Sequence, residues 1–153
     1  MGLAIVASRA RTGLAAPPVS VEVHLSGGLP VFTIVGLPAA AVRESKDRVR
    51  AALLCCRFDY PVSRIIVNLA PADLPKEGGR FDLPIALGIL AASGQLPTRT
   101  LQGREFIGEL SLDGAVRPVN GALSAAVATR DAGRSLVLPV ANGPEAALVD
   151  ELR

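Results

Sequence analysis

The sequence predicts a single α/β domain of the α+β type, in which helices cover a mixed sheet in two layers. Its 153 residues are enough for one domain with a substantial core. Half of the residues are apolar and only 20% are charged, a composition typical of folded chains rather than disordered ones. Strand-like runs are interspersed with helical patterns, and no repeat or linker divides the chain. We therefore treat residues 1–153 as one domain.

The first third of the chain predicts three strands and a helix. Residues 3–7 form the first predicted strand. Residues 19–25 alternate between apolar and polar side chains, which predicts a half-buried strand. Gly27 and Gly28 then lead into a further apolar run, so residues 19–35 are expected to form a hairpin. A helix over residues 39–56 follows, with apolar side chains at helical spacing.

The centre of the chain carries the strongest pattern. The run 64–70 is apolar on both faces, as in a central strand that is covered on both sides. A loop rich in proline and glycine follows and must turn sharply. Asp82 is expected to cap a helix over residues 83–94, whose surface is apolar all round. We therefore place that helix in the core.

The last third predicts a second hairpin and then a helix, a strand and a helix. The runs 106–110 and 115–119 are separated by a tight turn and should pair. An alanine-rich helix over residues 121–132, a short strand over 136–139 and a terminal helix over 144–152 complete the expected order.

The charge balance and the cysteines narrow the class of protein. The formal net charge is +2 with both signs interspersed, a balance that does not identify a nucleic-acid binder. Cys55 and Cys56 are adjacent in a helical stretch, a poor geometry for pairing, and indicate reduced thiols. No signal peptide or membrane-spanning run is visible. We therefore expect a soluble, cytoplasmic protein with no membrane partner.

Motifs for cofactor chemistry are missing from the sequence. It contains neither GxxxxGKS/T nor GxGxxG after a strand, so no known type of phosphate-binding loop is present. His24, the one histidine, has no cysteine or carboxylate cluster at ligand spacing. We therefore expect this chain to bind no cofactor and no metal, and to have no ATPase activity of its own.

Three cations on predicted loops are the first candidates for contacts with DNA or with a neighbouring subunit. Lys76, Arg80 and Arg117 are expected at one end of the sheet, where charged side chains can reach a partner. Contacts to a phosphate backbone require several such charges acting together.

The first predicted helix provides a second candidate surface. Its basic residues Arg43, Lys46, Arg48 and Arg50 are interleaved with Glu44 and Asp47. Such a pattern is usually that of a solvated helix face with ion pairs between residues four apart, such as Asp47 with Arg43. Both interpretations of this helix remain open.

The central stretch also resembles a known family. The segments VEVHLSGGLPVFTIVGLP, RESKDRVRAAL and NLAPADLPKEGGRFDLPIA are similar to the N-terminal domain of the magnesium-chelatase-like AAA+ ATPases of the ComM/YifB type. The similarity extends from the first residues to the strand at 136–139. In that family an ATPase module with Walker motifs follows the domain. The resemblance therefore implies a fragment of a longer protein, with the AAA+ module outside this chain.

The resemblance also implies a function. The family is associated with natural transformation, where its members resemble hexameric helicases that promote branch migration of incoming DNA. It implies DNA and a homo-oligomer, expected to be a hexamer, as partners, and ATP with Mg²⁺ in the separate module. This chain would be a non-catalytic accessory domain for oligomerisation, DNA engagement or both. A magnesium-chelatase subunit is an alternative.

The family's N-terminal domain is similar in fold to the proteolytic domain of Lon proteases, within the ribosomal protein S5 domain 2-like group. A Lon-type protease uses a Ser–Lys dyad, in which the serine follows a PK(D/E)G-like loop and the lysine a PxGG-like turn. Residues 75–78 and 118–121 match these loops, and the dyad positions fall on Asp82 and Leu123. The resemblance thus implies a protease fold without protease chemistry, with a Lon-like peptidase as the alternative.

Overall fold

The computed structural model describes residues 2–150, which form a sheet domain with helices on it. In chain order the strands are β1 (Gly2–Arg9), β2 (Pro18–Ser26), β3 (Val31–Val35), β4 (Arg64–Ala70), β5 (Arg104–Phe106), β6 (Glu109–Leu110), β7 (Val116–Arg117) and β8 (Ser135–Val137). The α-helices are α1 (Ala40–Arg43), α2 (Ser45–Cys55), α3 (Asp82–Ala92), α4 (Ala122–Asp131) and α5 (Gly143–Ala146).

The main sheet is mixed and has six strands in the order β3-β4-β2-β1-β5-β8. β2 is antiparallel to both β1 and β4, whereas β3 is parallel to β4 and β5 is parallel to both β1 and β8. β6 and β7 form a separate two-stranded antiparallel sheet. The predicted α/β domain with a mixed sheet is thus confirmed.

The predicted hairpin over residues 19–35 is wrong. β2 and β3 are both present, but β4 lies between them in the sheet. β3 is an edge strand and pairs in parallel with β4, for example through Ile34 and Val67. The turn at Gly27 and Gly28 therefore carries the chain past the position that β4 occupies, instead of closing a hairpin.

The predicted second hairpin is correct only at its tip. β6 and β7 pair in antiparallel fashion, with Leu110 opposite Val116. Phe106 belongs instead to β5 and lies in the main sheet next to β8. One predicted strand therefore divides between two sheets, because the chain leaves the main sheet after Phe106.

The core lies between the main sheet and α3. Apolar side chains of β2 at Val19, Val21 and Val23 are buried, as the alternation predicts. α3 packs on β1 and β2 so closely that a Cβ at Gly88 would lie 2.4 Å from Cγ2 of Val23. Ile85 of α3 has no exposed surface. The apolar helix is thus in the core, and its first turn is held at a fixed position above the sheet.

The opposite face of the sheet is covered only at one end. β4 is central, but its burial alternates, and Ile66 and Asn68 on its second face are only half-buried. The expectation that helices cover β4 on both sides is therefore wrong. Leu3 and Ile5 of β1 share this open face and are 61% and 55% exposed. Towards β5 and β8, α4 lies on this face. There the Thr129 hydroxyl of α4 donates to the Glu105 carboxylate of β5 at 2.9 Å.

Three smaller expectations concern the helices. The helix predicted over residues 39–56 is interrupted at Glu44, which separates α1 from α2. The helix predicted over residues 121–132 is present as α4. The terminal helix over residues 144–152 is shorter than expected, since α5 ends at Ala146 and its predicted last two residues lie outside the described range. Within residues 2–150 no helix is long and apolar enough to cross a membrane.

Candidate functional site

Lys76 joins the loop between β4 and α3 to the loop that follows β3. Its side chain is fully buried, and its Nζ donates to the carbonyl oxygens of Gly36, at 2.6 Å, and Pro71. Burial lowers the pKa of this amine. The sequence correctly places Lys76 in a loop, but the expectation that it reaches DNA or a neighbouring subunit does not fit a fully buried amine. Its role in this structure is to hold the loop in place.

Asp82 begins α3 but does not cap it. The N-cap residue is Phe81, and no side chain makes a capping hydrogen bond there. The Asp82 carboxylate is fully buried and turns instead towards α2 and β6. It accepts from Nε of Arg48 at 2.6 Å, from Nη2 of Arg48 at 3.1 Å, from the Ser45 hydroxyl and from the backbone N–H of Leu110 at 3.1 Å. The predicted cap is therefore a buried ion pair.

Both carboxylate oxygens of Asp82 are hydrogen-bonded inside the fold. Four donors use both oxygens of Asp82, and the hydrogen bond from Arg48 raises the pKa of that arginine. A carboxylate in this setting joins α2, α3 and the small sheet. Leu123, the other predicted dyad position, lies in the first turn of α4 with its side chain 39% exposed.

A cleft opens beside this network, and we call it the Arg80 cleft. It has a volume of about 310 Å³. Its walls are residues 77–80, Glu109 of β6, residues 118–120 and Arg11 from the β1–β2 connection. The two loops that the resemblance singles out, 75–78 and 118–121, thus both contribute to it.

Arg80 is the central cation of the cleft. It is only 5% exposed, and its Nη1 donates to the carbonyl oxygen of Asn120 at 3.1 Å. Neither Nε nor Nη2 of Arg80 has an acceptor among the described residues. Burial, with a smaller contribution from the charge of Arg11, lowers the pKa of Arg80 to about 10. The expectation of an exposed loop cation is wrong for Arg80, because its guanidinium group is packed inside the cleft wall.

The remaining charges of the cleft are of both signs. Arg11 is exposed, and its side chain passes so close to Gly121 that a Cβ there would lie 2.7 Å from Cδ of Arg11. Gly121 has φ +76°, a conformation that favours glycine. Glu77 is exposed and Glu109 half-buried, and within residues 2–150 neither is an ion-pair partner of Arg80.

The other predicted contact residues are placed outside the cleft. Arg117 is exposed on β7 and directly precedes Pro118 of the cleft wall. Arg43 is exposed and Lys46 is half-buried. Arg50 is also exposed, and its guanidinium lies 5.5 Å from the centre of the Tyr60 ring. Of the predicted contact residues, Arg80 alone therefore lines the cleft, and Arg117 is a neighbour of its wall along the chain. Arg48 of α2 is not on a solvated face, since it pairs with buried Asp82.

Comparison with known proteins decides the family. The profile described as subunit ChlI of Mg-chelatase matches residues 21–142, which is most of the chain. The chain belongs to the Mg-chelatase subunit ChlI family. It is similar to the competence protein ComM of Haemophilus influenzae, with 56% identity over 99% of this chain and 30% of that protein. It is also 51% identical to the protein YifB of Escherichia coli, over 98% of this chain and 30% of YifB.

A more distant similarity agrees with the resemblance to Lon. Lon protease 2 of Thermus thermophilus is 28% identical over 83% of this chain and 16% of that protein. The ChlI-family chain spans about 30% of the length of the ComM and YifB relatives, and a smaller part of the protease.

Sequence reasoning found part of the cleft wall in this ChlI-family chain and missed the rest. The resemblance singles out the loop 75–78 and the turn 118–121. Arg11 and Glu109 were missed, because neither carries a motif and only the tertiary fold brings them to the cleft. Residues 2–150 contain no group of three or more histidine, cysteine or carboxylate side chains arranged to hold a metal ion.

Proposed function

We propose that this ChlI-family chain is the non-catalytic N-terminal domain of a ComM-like AAA+ ATPase and that it engages DNA for that enzyme. The observation that carries the proposal is the 56% identity to ComM over nearly the whole chain, which corresponds to only 30% of ComM. The chain has no phosphate-binding loop motif of its own. It is thus suited to an accessory role beside a motor module.

The cleft supports a role in DNA engagement. Arg80 and Arg11 line it, and exposed Arg117 adjoins it. Arginine is the side chain best suited to phosphate groups, because its planar guanidinium offers parallel donors. Assembly into a homo-oligomer, a hexamer by the resemblance, and a cytoplasmic location belong to the same proposal. ATP and Mg²⁺ are assigned to the motor module.

A Lon-like peptidase is the second candidate, favoured by the similarity to Lon protease 2. A nucleophile or base at the expected position would have to be Asp82, which is buried and accepts four hydrogen bonds. Release of label from casein by the purified chain would support the peptidase and contradict the accessory role. A chelatase subunit is the third candidate, favoured by the description of the matching family, subunit ChlI of Mg-chelatase.

The DNA proposal is tested by fluorescence anisotropy of the 153-residue chain with labelled single-stranded and forked DNA. We expect binding that weakens steeply between about 50 and about 200 mM salt, since each neutralised phosphate releases counterions. Arg117→Gln should weaken binding, whereas Arg64→Gln, which removes an exposed arginine at the start of β4, should not, because the cleft loop follows the other end of that strand. No binding at about 50 mM salt would contradict DNA engagement and leave subunit assembly as the role.

A further inference from the structure

One edge of the Arg80 guanidinium carries two unpaired donors. Nε and Nη2 lie side by side on a guanidinium group, so both can donate to the two oxygens of one oxyanion. In Arg80 these two nitrogens are buried and have no acceptor among the described residues. Leaving buried donors unpaired is unfavourable, and such groups in native proteins call for an explanation.

Two other arginines of the same chain show what this edge does when an anion is present. Nε and Nη2 of Arg48 donate to Oδ2 and Oδ1 of Asp82, at 2.6 and 3.1 Å. Nε and Nη2 of Arg9 donate to Oε1 and Oε2 of Glu105, also at 2.6 and 3.1 Å. Arg80 has the same edge, more deeply buried than that of Arg48, without a carboxylate on it.

The guanidinium of Arg80 is held ready on its other side. Its Nη1 donates to the carbonyl oxygen of Asn120, and its backbone carbonyl accepts from Gly108 at 2.9 Å. The first contact fixes the guanidinium and the second fixes the backbone that carries it, so little conformational entropy remains to be lost on binding. A preorganised fork is what distinguishes a binding group from a mobile surface arginine.

The cleft has room for a ligand and a second cation to meet it. Its volume of about 310 Å³ corresponds to roughly ten water molecules in the liquid. Arg11 lines the same cleft and is close enough for its charge to act on Arg80. Two like charges in one cleft repel each other, and an anion between them removes this repulsion.

We propose that the Arg80 cleft binds a single phosphate-type oxyanion, gripped by Nε and Nη2 of Arg80 with Arg11 as the second cation. The source of the phosphate is either free, such as pyrophosphate, or the backbone of DNA. Only the DNA form rests on the function proposed above. Arg80 lines the cleft, so the anion would approach the two buried nitrogens from that side.

The carboxylates of the cleft oppose the binding of an anion. Glu77 and Glu109 leave the four side chains with no net charge, so selectivity comes from the guanidinium fork rather than from a strong positive field. Neither carboxylate pairs with Arg80, but both repel an incoming anion. Removing the exposed one by Glu77→Gln should therefore tighten phosphate binding, the opposite of the effect of removing an arginine.

The test is isothermal titration of pyrophosphate into the 153-residue chain, its Arg80→Gln variant and the matched control Arg64→Gln. Arg64 is exposed at the start of β4, at the opposite end of that strand from the loop that leads to α3. We expect Arg80→Gln to weaken binding by about 10- to 100-fold, the effect of losing charge-assisted hydrogen bonds. Arg64→Gln should bind pyrophosphate as the parent chain does. If Arg80→Gln does not fold, as judged by circular dichroism, Arg11→Gln replaces it, since Arg11 is exposed and its loss should also weaken binding.

Three results would overturn the site. They are no pyrophosphate binding by the parent chain, equal binding by Arg80→Gln, and no tightening in Glu77→Gln together with no weakening in Arg11→Gln. The source is separated by repeating the DNA anisotropy measurement with Arg80→Gln. DNA binding that depends on Arg80 supports the backbone phosphate. Pyrophosphate binding that depends on Arg80, without any DNA binding by the parent chain, supports the site with a free phosphate and rejects only the DNA function.

Discussion

Two arginines near the start of α3 have opposite surroundings. Arg48 meets Asp82 in a bidentate ion pair, and the hydrogen bond raises the pKa of Arg48. Arg80 is buried without a carboxylate, and burial lowers its pKa to about 10. Because an arginine stays protonated in proteins, the lowered pKa of Arg80 means a charged group held at a cost. The difference separates a cation that stabilises the fold from one that is available for a ligand.

A third arginine belongs with Arg48. Arg9 pairs with Glu105 through both carboxylate oxygens and donates from Nη1 to the carbonyl oxygen of Ala16 at 2.9 Å. Thr129 of α4 donates to the same carboxylate at 2.9 Å. The pair therefore joins β1, β5 and α4 across the covered end of the sheet. Buried arginines that support this fold are matched by carboxylates, which makes Arg80 the exception among these three.

The largest expected effect comes from breaking the matched pair. Arg48→Met removes two donors and leaves the fully buried Asp82 carboxylate without its counterion. We expect a loss of about 3–5 kcal/mol in the free energy of unfolding, the usual result of truncating one partner of a buried pair. Urea unfolding followed by circular dichroism measures it from the midpoint and slope.

Two controls sharpen this result. Arg43→Met changes an exposed arginine of α1 and should stay within about 0.5 kcal/mol of the parent chain. Adding Asp82→Asn to Arg48→Met removes the stranded charge and should recover part of the loss. A loss for Arg48→Met no larger than that for Arg43→Met would show that the pair is not what holds α2 to α3.

Local patterns predicted much of the fold. The alternation at Val19, Val21 and Val23 gave the buried face of β2, and the apolar surface of α3 gave its place in the core. The pairing of β2 with β3 could not be predicted in this way. Gly27 and Gly28 favour a hairpin, but the strand that separates β2 from β3 begins only at Arg64. A turn signal contains no information on a strand that arrives later in the chain.

The site was less predictable for a related reason. Lys76 and Arg80 are cations in a glycine-rich loop, a pattern that usually indicates exposure. Their burial depends on partners from other loops, namely the carbonyl oxygens of Gly36, Pro71 and Asn120. Periodicity along the chain does not report such contacts. The resemblance located the two loops of the cleft, whereas their chemistry emerged only from the fold.

Lys76 tests an intermediate case, a buried cation whose partners are neutral. Lys76→Met removes the charge, but it also leaves the carbonyl oxygens of Gly36 and Pro71 without their donor. We expect a loss of about 1–3 kcal/mol in the free energy of unfolding, smaller than for Arg48→Met because no charge is stranded. Urea unfolding measures it.

The matched control for Lys76 is Lys46→Met. Lys46 is a half-buried residue of α2, and its substitution should change the free energy of unfolding little. A loss for Lys76→Met equal to that for Arg48→Met would break the distinction between carbonyl and carboxylate partners. A stability unchanged by Lys76→Met would mean that the loop keeps its position without this clamp.

Arg80→Met should have the smallest effect on the free chain and a distinct effect with a ligand. Methionine keeps the apolar part of the side chain and removes a buried charge without an anionic partner. The one hydrogen bond lost is to Asn120, an exposed residue whose carbonyl can bind water instead. We expect a change within about 1 kcal/mol, and in the stabilising direction if the cost of burying the charge exceeds the hydrogen bond.

Added pyrophosphate should separate the stability of Arg80→Met from that of the parent chain. At a concentration of about 100 times its dissociation constant, a ligand that binds only the folded state adds about 2.7 kcal/mol to its stability. The parent chain and Arg64→Met, which changes the exposed arginine at the start of β4, should gain this stability in urea unfolding, and Arg80→Met should not. An Arg80→Met chain that loses as much stability as Arg48→Met without ligand would mean that Arg80, like Arg48, is bound to a partner inside the fold. The contrast between the two arginines would then disappear, and with it the reason to expect a ligand in the cleft.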